Sequence, residues 1–562
     1  MQKKFLGILI IFLLGFLLRL YWVSNYSPDL NSQEALIGYR AKLILETGKD
    51  ETGRRFPLIF TSFEDYQLPL KTYMLIPSIK LFGLSKFAVR MPLVILNSLA
   101  IFAIWGICQK IWKKEKNLKL WAAFFLATSP SMIFSSGTIF SAGLTLSFLL
   151  LGFYFFLGKR SRSKFVIGIV MLSLAVYSAK ISWIFTISLS LLFFSFIIVG
   201  HRIELKRGFL LIFLSLIIIS LPLLIDFWCL PSAFQSLRDN DFSLFKDIGI
   251  INSINSLRGE EITSGLPLVG KIFYNKAFWL IKFLESFLKQ FNPRFLFAAG
   301  DGDPLHGFSN FGPLLLILLP ITLVGLLYLI REKQISLYTL AMTIWLVAAG
   351  FPSALAGKNP DQSKCIFMVP LILIIAALGI YSLKLKIYKV IFFALFFLNF
   401  IFFVFDVLYK EPIRASKVWT KGFNKFASEV EVIAQKSQKI YFTDGIIQDP
   451  APLLLFYWQY PSEQFFNSDS TTNFEYKHWI QKIGNIQIGR PQEFTMVPGE
   501  KAVLVMTKVE EQKFAEKFSF LKFGRGQSCY KKEKDLEYKD QNGTVVLSVA
   551  TVSPENCKQL PK

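Results

Sequence analysis

The residues with chemistry to offer gather first in the segment after the opening apolar run. Asp29, Gln33 and Glu34 lie close together there. A carboxylate so placed can act as general base toward an acceptor hydroxyl or amine. The same residues also suit a helix start, with Ser32 capping a helix from Gln33 to Gly48 and the acids favoured by its dipole. Ala35, Leu36, Leu43, Ile44 and Leu45 would give that helix one apolar side, to lie along a membrane surface. Asp65, Tyr66 and Gln67 follow, and then Arg90 at the opening of an apolar stretch. An arginine there either snorkels to the headgroups or binds a lipid phosphate. Later, Asp301 and Asp303 form a D-x-D with His306 just beyond. In nucleotide-sugar enzymes a D-x-D binds a metal, but no soluble nucleotide-binding fold precedes this one, and a Gly/Asp turn explains it better. Lys364 stands at the mouth of another apolar stretch, where a cation snorkels or binds something anionic.

Those residues need elements to hold them, and the composition says which kind. The chain has 562 residues, 53% of them hydrophobic and only 18% charged. Soluble globular chains run to about 25% charged residues. The balance excludes a soluble enzyme, a disordered chain and a fibrous one, and points to a polytopic α-helical membrane protein. Apolar runs of roughly 20 residues mark spans. They fall near 5–23, 88–109, 119–131, 139–158, 165–179, 181–199, 208–225, 312–330, 335–351, 365–383 and 389–408, about eleven transmembrane helices, two of them short.

The formal charge of +23 would hint at nucleic acid in a soluble protein. Here it is mostly topology. Lys3 and Lys4, the lysines of 110–119, the basic residues of 159–164 and 202–207, Arg331 with Lys333, and the lysines of 384–389 alternate with far less basic loops. The positive-inside rule puts these loops and the N-terminus in the cytoplasm of a plasma (inner) membrane. The long loops 24–87 and 226–311 then face outward, an arrangement expected of an outward-facing active site. Residues 1–408 form the membrane part. Residues 409–562 carry no span and read as a small extracytoplasmic α/β domain, with strands at 440–442 and 502–506, helices at 452–458 and 509–518, and a hairpin turn at Asn542-Gly543 leading into a strand at 544–549.

Five cysteines and three histidines decide little. Cys108, Cys229 and Cys365 lie in or beside apolar runs, while Cys529 and Cys557 are free to pair if the C-terminal part is extracytoplasmic. His201, His306 and His478 are too scattered along the chain to spell a metal site. No metal is expected to be required, and a divalent metal is left open.

The motifs, in order, resemble a known group. Gln33-Glu34-Ala35, Ile37-Gly38-Tyr39, Thr47-Gly48-Lys49-Asp50-Glu51, Asp65-Tyr66-Gln67-Leu68-Pro69, and Phe82-Gly83-Leu84 leading to Arg90 are similar to the first loop of GT-C membrane glycosyltransferases. The group is the protein O-mannosyltransferase-like one, glycosyltransferase family 39, with relatives among the lipid A aminoarabinose transferases. The stretch from Phe295 to Asp301 with His306, and the loop ending at Lys364, resemble later segments of that family. The resemblance implies a GT-C fold and transfer of a sugar from a polyprenyl-phosphate donor to an extracytoplasmic glycan, lipid or protein. It implies membrane lipids and no nucleic acid as partners. It also implies a first-loop acid as base, Glu34 before Asp65 and Asp29. Gln33, Tyr39, Tyr66, Gln67, Arg90, Asp301, His306 and Lys364 would bind substrate or carrier.

The chain departs from that pattern where charge matters. Gln33 stands where the family has its catalytic Asp, and glutamine takes up no proton near neutral pH. Gln67 replaces a phosphate-binding Lys, the segment from Ser136 to Ser141 lacks an Arg and a Glu, and Lys364 replaces an Arg. Two other readings follow from these changes: a catalytically degenerate member that binds a polyprenyl lipid or scaffolds, and a lipid or glycan transporter.

Overall fold

A computed structural model describes residues 2–188, 244–263 and 278–552, short internal stretches apart, with a few residues between 221 and 228. The chain forms two compact units. One holds Met1–Ser27, Asp65–Leu70 and Arg90–Glu411, and the other Pro28–Glu64, Lys71–Val89 and Pro412–Lys562. Most of the loop 24–87 therefore shares a unit with the C-terminal residues.

The first unit is a helical bundle. Among the described residues, four helices are long and apolar enough to cross a bilayer: Phe5–Tyr26, Lys86–Ile111, Gln362–Ser382 and Lys386–Arg414. Five shorter apolar helices accompany them: Leu118–Ala127, Gly143–Phe156, Ser163–Val176, Leu318–Arg331 and Leu340–Leu355. The expected spans at 181–199 and 208–225 lie almost wholly outside the described residues. Burial sorts the long helices. Gln362–Ser382 is 89% buried within the protein, whereas Lys386–Arg414 is 28% buried. The outer helix presents Ile387, Val390, Ile391, Phe397, Leu398 and Ile401, as a lipid-facing wall does.

Two expected spans are shorter than their hydropathy. The run at 119–131 breaks at Thr128, between helices Leu118–Ala127 and Pro130–Phe134. Proline at the start of the second helix has no N–H to continue the first. The carbonyls freed at the break are not orphaned. Arg19, fully buried near the end of the first helix, donates to Leu126 O and Ala127 O, each at 3.1 Å, and to Gly15 O at 2.7 Å. The run at 139–158 becomes helical only at Gly143. Elsewhere Leu318–Arg331 packs on Val369–Ser382 through glycines. A Cβ on Gly325 would come within 1.9 Å of Ile375 O, and one on Gly379 within 2.0 Å of Ile321 O. Only glycine permits backbones to approach so closely.

The second unit centres on a six-stranded sheet. Its order is Tyr530–Lys539, Val545–Val552, Ala502–Met506, Lys439–Thr443, Ile486–Gly489 and Lys482–Ile483. Lys439–Thr443 is parallel to both neighbours, pairing Ile440 with Val503 and with Ile486. Ala502–Met506 is buried along its whole length, as a central strand covered on both faces must be. Helices Ala451–Tyr457 and Lys508–Lys517 stand where the periodicity placed them. Asn542, Gly543, Cys529 and Cys557 lie outside the described residues, while the two strands flanking that turn pair antiparallel.

Candidate functional site

In the second unit, helix Ser32–Thr47 carries the first-loop candidates. Its cap is Asn31 rather than Ser32: Asn31 Oδ1 accepts from the Glu34 N–H at 2.9 Å. Gly48 closes it in the left-handed region, at φ 71°. The helix is not the surface-lying amphipathic element its sequence implies, since Glu34, Tyr39, Arg40 and most of its apolar residues are buried. It packs on Ala451–Tyr457, and a Cβ on Gly38 would meet the Phe456 ring at 2.7 Å. The partner lies more than 400 residues away in sequence, so no local pattern announces it.

This packing assigns work to several candidates. The Tyr39 hydroxyl donates to Tyr460 O at 3.0 Å and its ring meets Phe465 edge-on at 5.8 Å. Burial, then Tyr460 and Glu46, push the phenol pKa up. Lys42 Nζ donates to Gln459 O at 2.8 Å and to Tyr460 O at 3.1 Å. Asp29 accepts from the Gly422 N–H at 2.7 Å and lies 3.5 Å from Lys86 Nζ, so it is already engaged. Glu34 is wholly buried in the first turn, and Gln33 beside it is partly exposed.

The Thr47–Glu51 motif is structural. Asp50, fully buried, accepts from Thr52 N at 3.0 Å, Arg54 N at 2.9 Å and Arg54 Nη2 at 3.0 Å. Glu51 accepts from Arg40 Nε at 2.7 Å and pairs with its Nη2, while the Arg40 guanidinium stacks 4.7 Å from the Phe60 ring. These contacts fix the turn after the helix.

In the first unit, strand Asp65–Gln67 holds three candidates. Tyr66 is buried and Gln67 partly so, and the Asp65 side chain lies outside the described residues. Arg90 is fully buried and donates from Nη1 to Ser27 Oγ at 2.8 Å. The snorkelling alternative therefore falls away: this guanidinium is an interior group. Around Ser135 and Ser136 the first unit carries a neutral network. Asn97 Nδ2 donates to Ser135 Oγ at 3.0 Å and Ser136 Oγ at 3.1 Å, and Ser147 Oγ donates to Asn97 Oδ1 at 2.8 Å. Such amide and hydroxyl links between helices satisfy one another without a buried charge.

The remaining candidates converge. His306 Nδ1 lies 3.4 Å from Asp301 Oδ2, 3.5 Å from Asp303 Oδ2 and 3.7 Å from Asp361 Oδ1. Lys364 Nζ sits 3.2 Å from Asp361 Oδ2. The D-x-D does make a turn, with Asp301 Oδ1 accepting from Asp303 N at 3.1 Å. Asp361 caps the helix at Gln362, accepting from Ser363 N at 2.9 Å, and Gln362 N donates to Asp301 Oδ2 at 2.8 Å. The loop is also held from Ser309, whose hydroxyl donates to Glu411 at 2.9 Å. Burial opposes charge on His306, but the hydrogen bond to Asp301 and the carboxylates of Asp361, Asp303 and Asp301 outweigh it and raise its pKa. Burial likewise opposes charge on Asp361, and Lys364, His306 and Ser363 outweigh it and lower its pKa. Asp361 was not among the residues singled out from sequence. In the sequence it reads only as one charge of the short loop near 352–364, three residues before Lys364.

No family model and no curated protein matches the chain. Solved structures do. ArnT from Cupriavidus metallidurans bound to undecaprenyl phosphate superposes with a TM-score of 0.54 at 12% identity, over 100% of this chain and 99% of that one. The apo form of the same protein gives 0.53 at 11%, over 100% and 99%. An oligosaccharyltransferase from Archaeoglobus fulgidus gives a TM-score of 0.42 at 15% identity, over 80% of this chain and 61% of that one. The chain has the GT-C fold. With four apolar helices of spanning length, it is an integral membrane protein.

Proposed function

We propose that this protein is a GT-C glycosyltransferase that moves a sugar from a polyprenyl-phosphate carrier to an acceptor on the outer side of the membrane. The observation that carries the proposal is the likeness to ArnT along the whole of both chains, together with that protein's bound undecaprenyl phosphate. Orientation follows the charge pattern. Arg19, at the end of the first helix, binds the last carbonyls of Leu118–Ala127, so the two helices end together. That supports placing their lysine-rich beginnings on one side, the cytoplasmic one, and the C-terminal sheet outside.

In this reading a carboxylate takes the proton of the acceptor hydroxyl or amine, and the acceptor atom attacks the anomeric carbon. The bond from that carbon to the phosphate oxygen breaks, and the electron pair leaves on the polyprenyl phosphate. Cations stabilise the departing phosphate. Arg90 is the preferred group for this, with Lys364 second because Asp361 already holds it. Glu34 is the preferred base. Asp29 is bound to Gly422 and Lys86, which ranks it lower.

Gln33 in the usual acid position, beside a buried Glu34, favours a second reading: a degenerate member that binds carrier without efficient transfer. Membranes with a radiolabelled lipid-linked sugar pool separate the two. Transfer by the parent chain, reduced by about 10²–10⁴ in Glu34→Gln, fits the enzyme reading. Activity that appears only with Gln33→Asp fits the degenerate one. Full transfer in Glu34→Gln removes Glu34 as base.

A further inference from the structure

We infer that Asp301, His306 and Asp361 form a seat for one divalent cation of the zinc or manganese class. Their ligand atoms all lie within 4.8 Å of one another, although Asp361 is far from the other two in sequence. Zinc takes nitrogen and oxygen ligands at about 2.0–2.2 Å in tetrahedral geometry, so two ligand atoms on one ion stand ~3.3–3.6 Å apart. His306 Nδ1 is 3.4 Å from Asp301 Oδ2, inside that span, and 3.7 Å from Asp361 Oδ1, just beyond it. Modest side-chain adjustment brings all three onto one ion.

The local charge fits. Asp303 faces the same imidazole at 3.5 Å, and among the described residues Lys364 is the one cation paired with the group, 3.2 Å from Asp361 Oδ2, the oxygen other than the one nearest His306. Three carboxylates against one ammonium leave about the charge that a dication neutralises.

A second observation is independent of the cluster. Gln362 is 2% exposed, and its Oε1 has no hydrogen-bond partner among the described residues. The amide is wedged between Gly300 and Gly307, the ends of the loop that carries Asp301, Asp303 and His306. A Cβ at either glycine would lie 2.2 Å or 2.4 Å from Oε1. A buried amide oxygen without a donor is costly, and a divalent cation held in the loop would supply the partner it lacks. The imidazole decides the class of ion, since calcium and magnesium prefer oxygen alone.

The seat would tie the 300–307 loop to the start of helix Gln362–Ser382. It does not depend on the glycosyl-transfer proposal, because its readouts are metal content and ligand identity. The full chain, purified in detergent and stripped with chelator, is titrated calorimetrically with zinc, manganese, magnesium and calcium. One zinc per chain is expected, bound more tightly than calcium or magnesium, with affinity falling at least about 10-fold in His306→Ala and in Asp361→Asn. X-ray absorption on the zinc-loaded parent chain should show nitrogen and oxygen neighbours without sulfur, and this decides the matter if the variants do not fold. Zinc binding undiminished in a folded His306→Ala, calcium binding as tight as zinc, a sulfur neighbour from Cys365, or stoichiometric binding of neither zinc nor manganese would each overturn the inference.

Discussion

Asp449→Asn should stabilise the sheet-bearing unit above neutral pH and leave it nearly unchanged in acid. Asp449 is 5% exposed, just ahead of helix Ala451–Tyr457, and its Oδ1 has no hydrogen-bond partner among the described residues. Burial pushes its carboxyl up from 3.8 to about 7. A hydrogen bond from Ala451 opposes that rise and Asp444 adds to it. A folded-state pKa above the unfolded one means that the folded form binds the proton more tightly. The stability due to the neutral acid is complete below about pH 4 and is lost as pH rises through 7. At about 1.4 kcal/mol per unit, the loss by pH 8 is at most about 4 kcal/mol. Asparagine keeps the shape, cannot ionise, and tolerates the positive φ of 51° at this position. Thermal unfolding of the full chain in detergent at pH 5 and pH 8 tests this. Hydrogen exchange in Lys439–Thr443 and Ala451–Tyr457 gives the local readout. The parent should lose stability between the two pH values, and Asp449→Asn should flatten that loss and raise the pH 8 midpoint by up to about 10 °C. An equal pH 5 to pH 8 difference in parent and variant would refute the assignment of the titrating group.

Other consequences are more local. Gly379→Val should force Leu318–Arg331 and Val369–Ser382 apart, because its Cβ would already sit 2.0 Å from Ile321 O; a lower melting temperature in detergent is expected, and an unchanged one would contradict the close approach. Arg40→Lys keeps the charge but loses the paired contact with Glu51 and the stack on Phe60, and should cost about 1–3 kcal/mol, read as faster exchange in Ser32–Thr47. Arg19→Leu should leave the carbonyls of Leu126 and Ala127 without their donor and lower thermal stability by a similar amount, whereas a purely lipid-facing arginine would give no loss.

The parts of this protein that could be read from sequence were those whose signals are local. Gly48 ends its helix because a left-handed residue is needed there, and Ala502–Met506 is a continuous apolar run because it is covered on both faces. What could not be read depends on partners distant in the chain. The surface-helix expectation for Ser32–Thr47 failed because Phe456 and Tyr460 cover the helix. The break after Ala127 is invisible to hydropathy, since Thr128 and Ser129 interrupt an apolar run too briefly, and Arg19 holds the freed, buried carbonyls from another helix. Among the candidate residues of each unit, the acids and cations were found by type, but their engagement was not. Asp29 is taken by Gly422, Tyr39 by Tyr460, and His306 meets Asp361 only because the 300–307 loop folds onto the start of helix Gln362–Ser382.

The central claim is that this protein handles a polyprenyl-phosphate carrier, and the most direct measurement is native mass spectrometry of the purified chain titrated with polyprenyl phosphate. One bound lipid phosphate at micromolar concentration is expected, with binding weakened at least about 10-fold in Arg90→Gln when that variant retains the parent's melting temperature. No binding by the parent chain, or equal binding by a folded Arg90→Gln, would contradict the account.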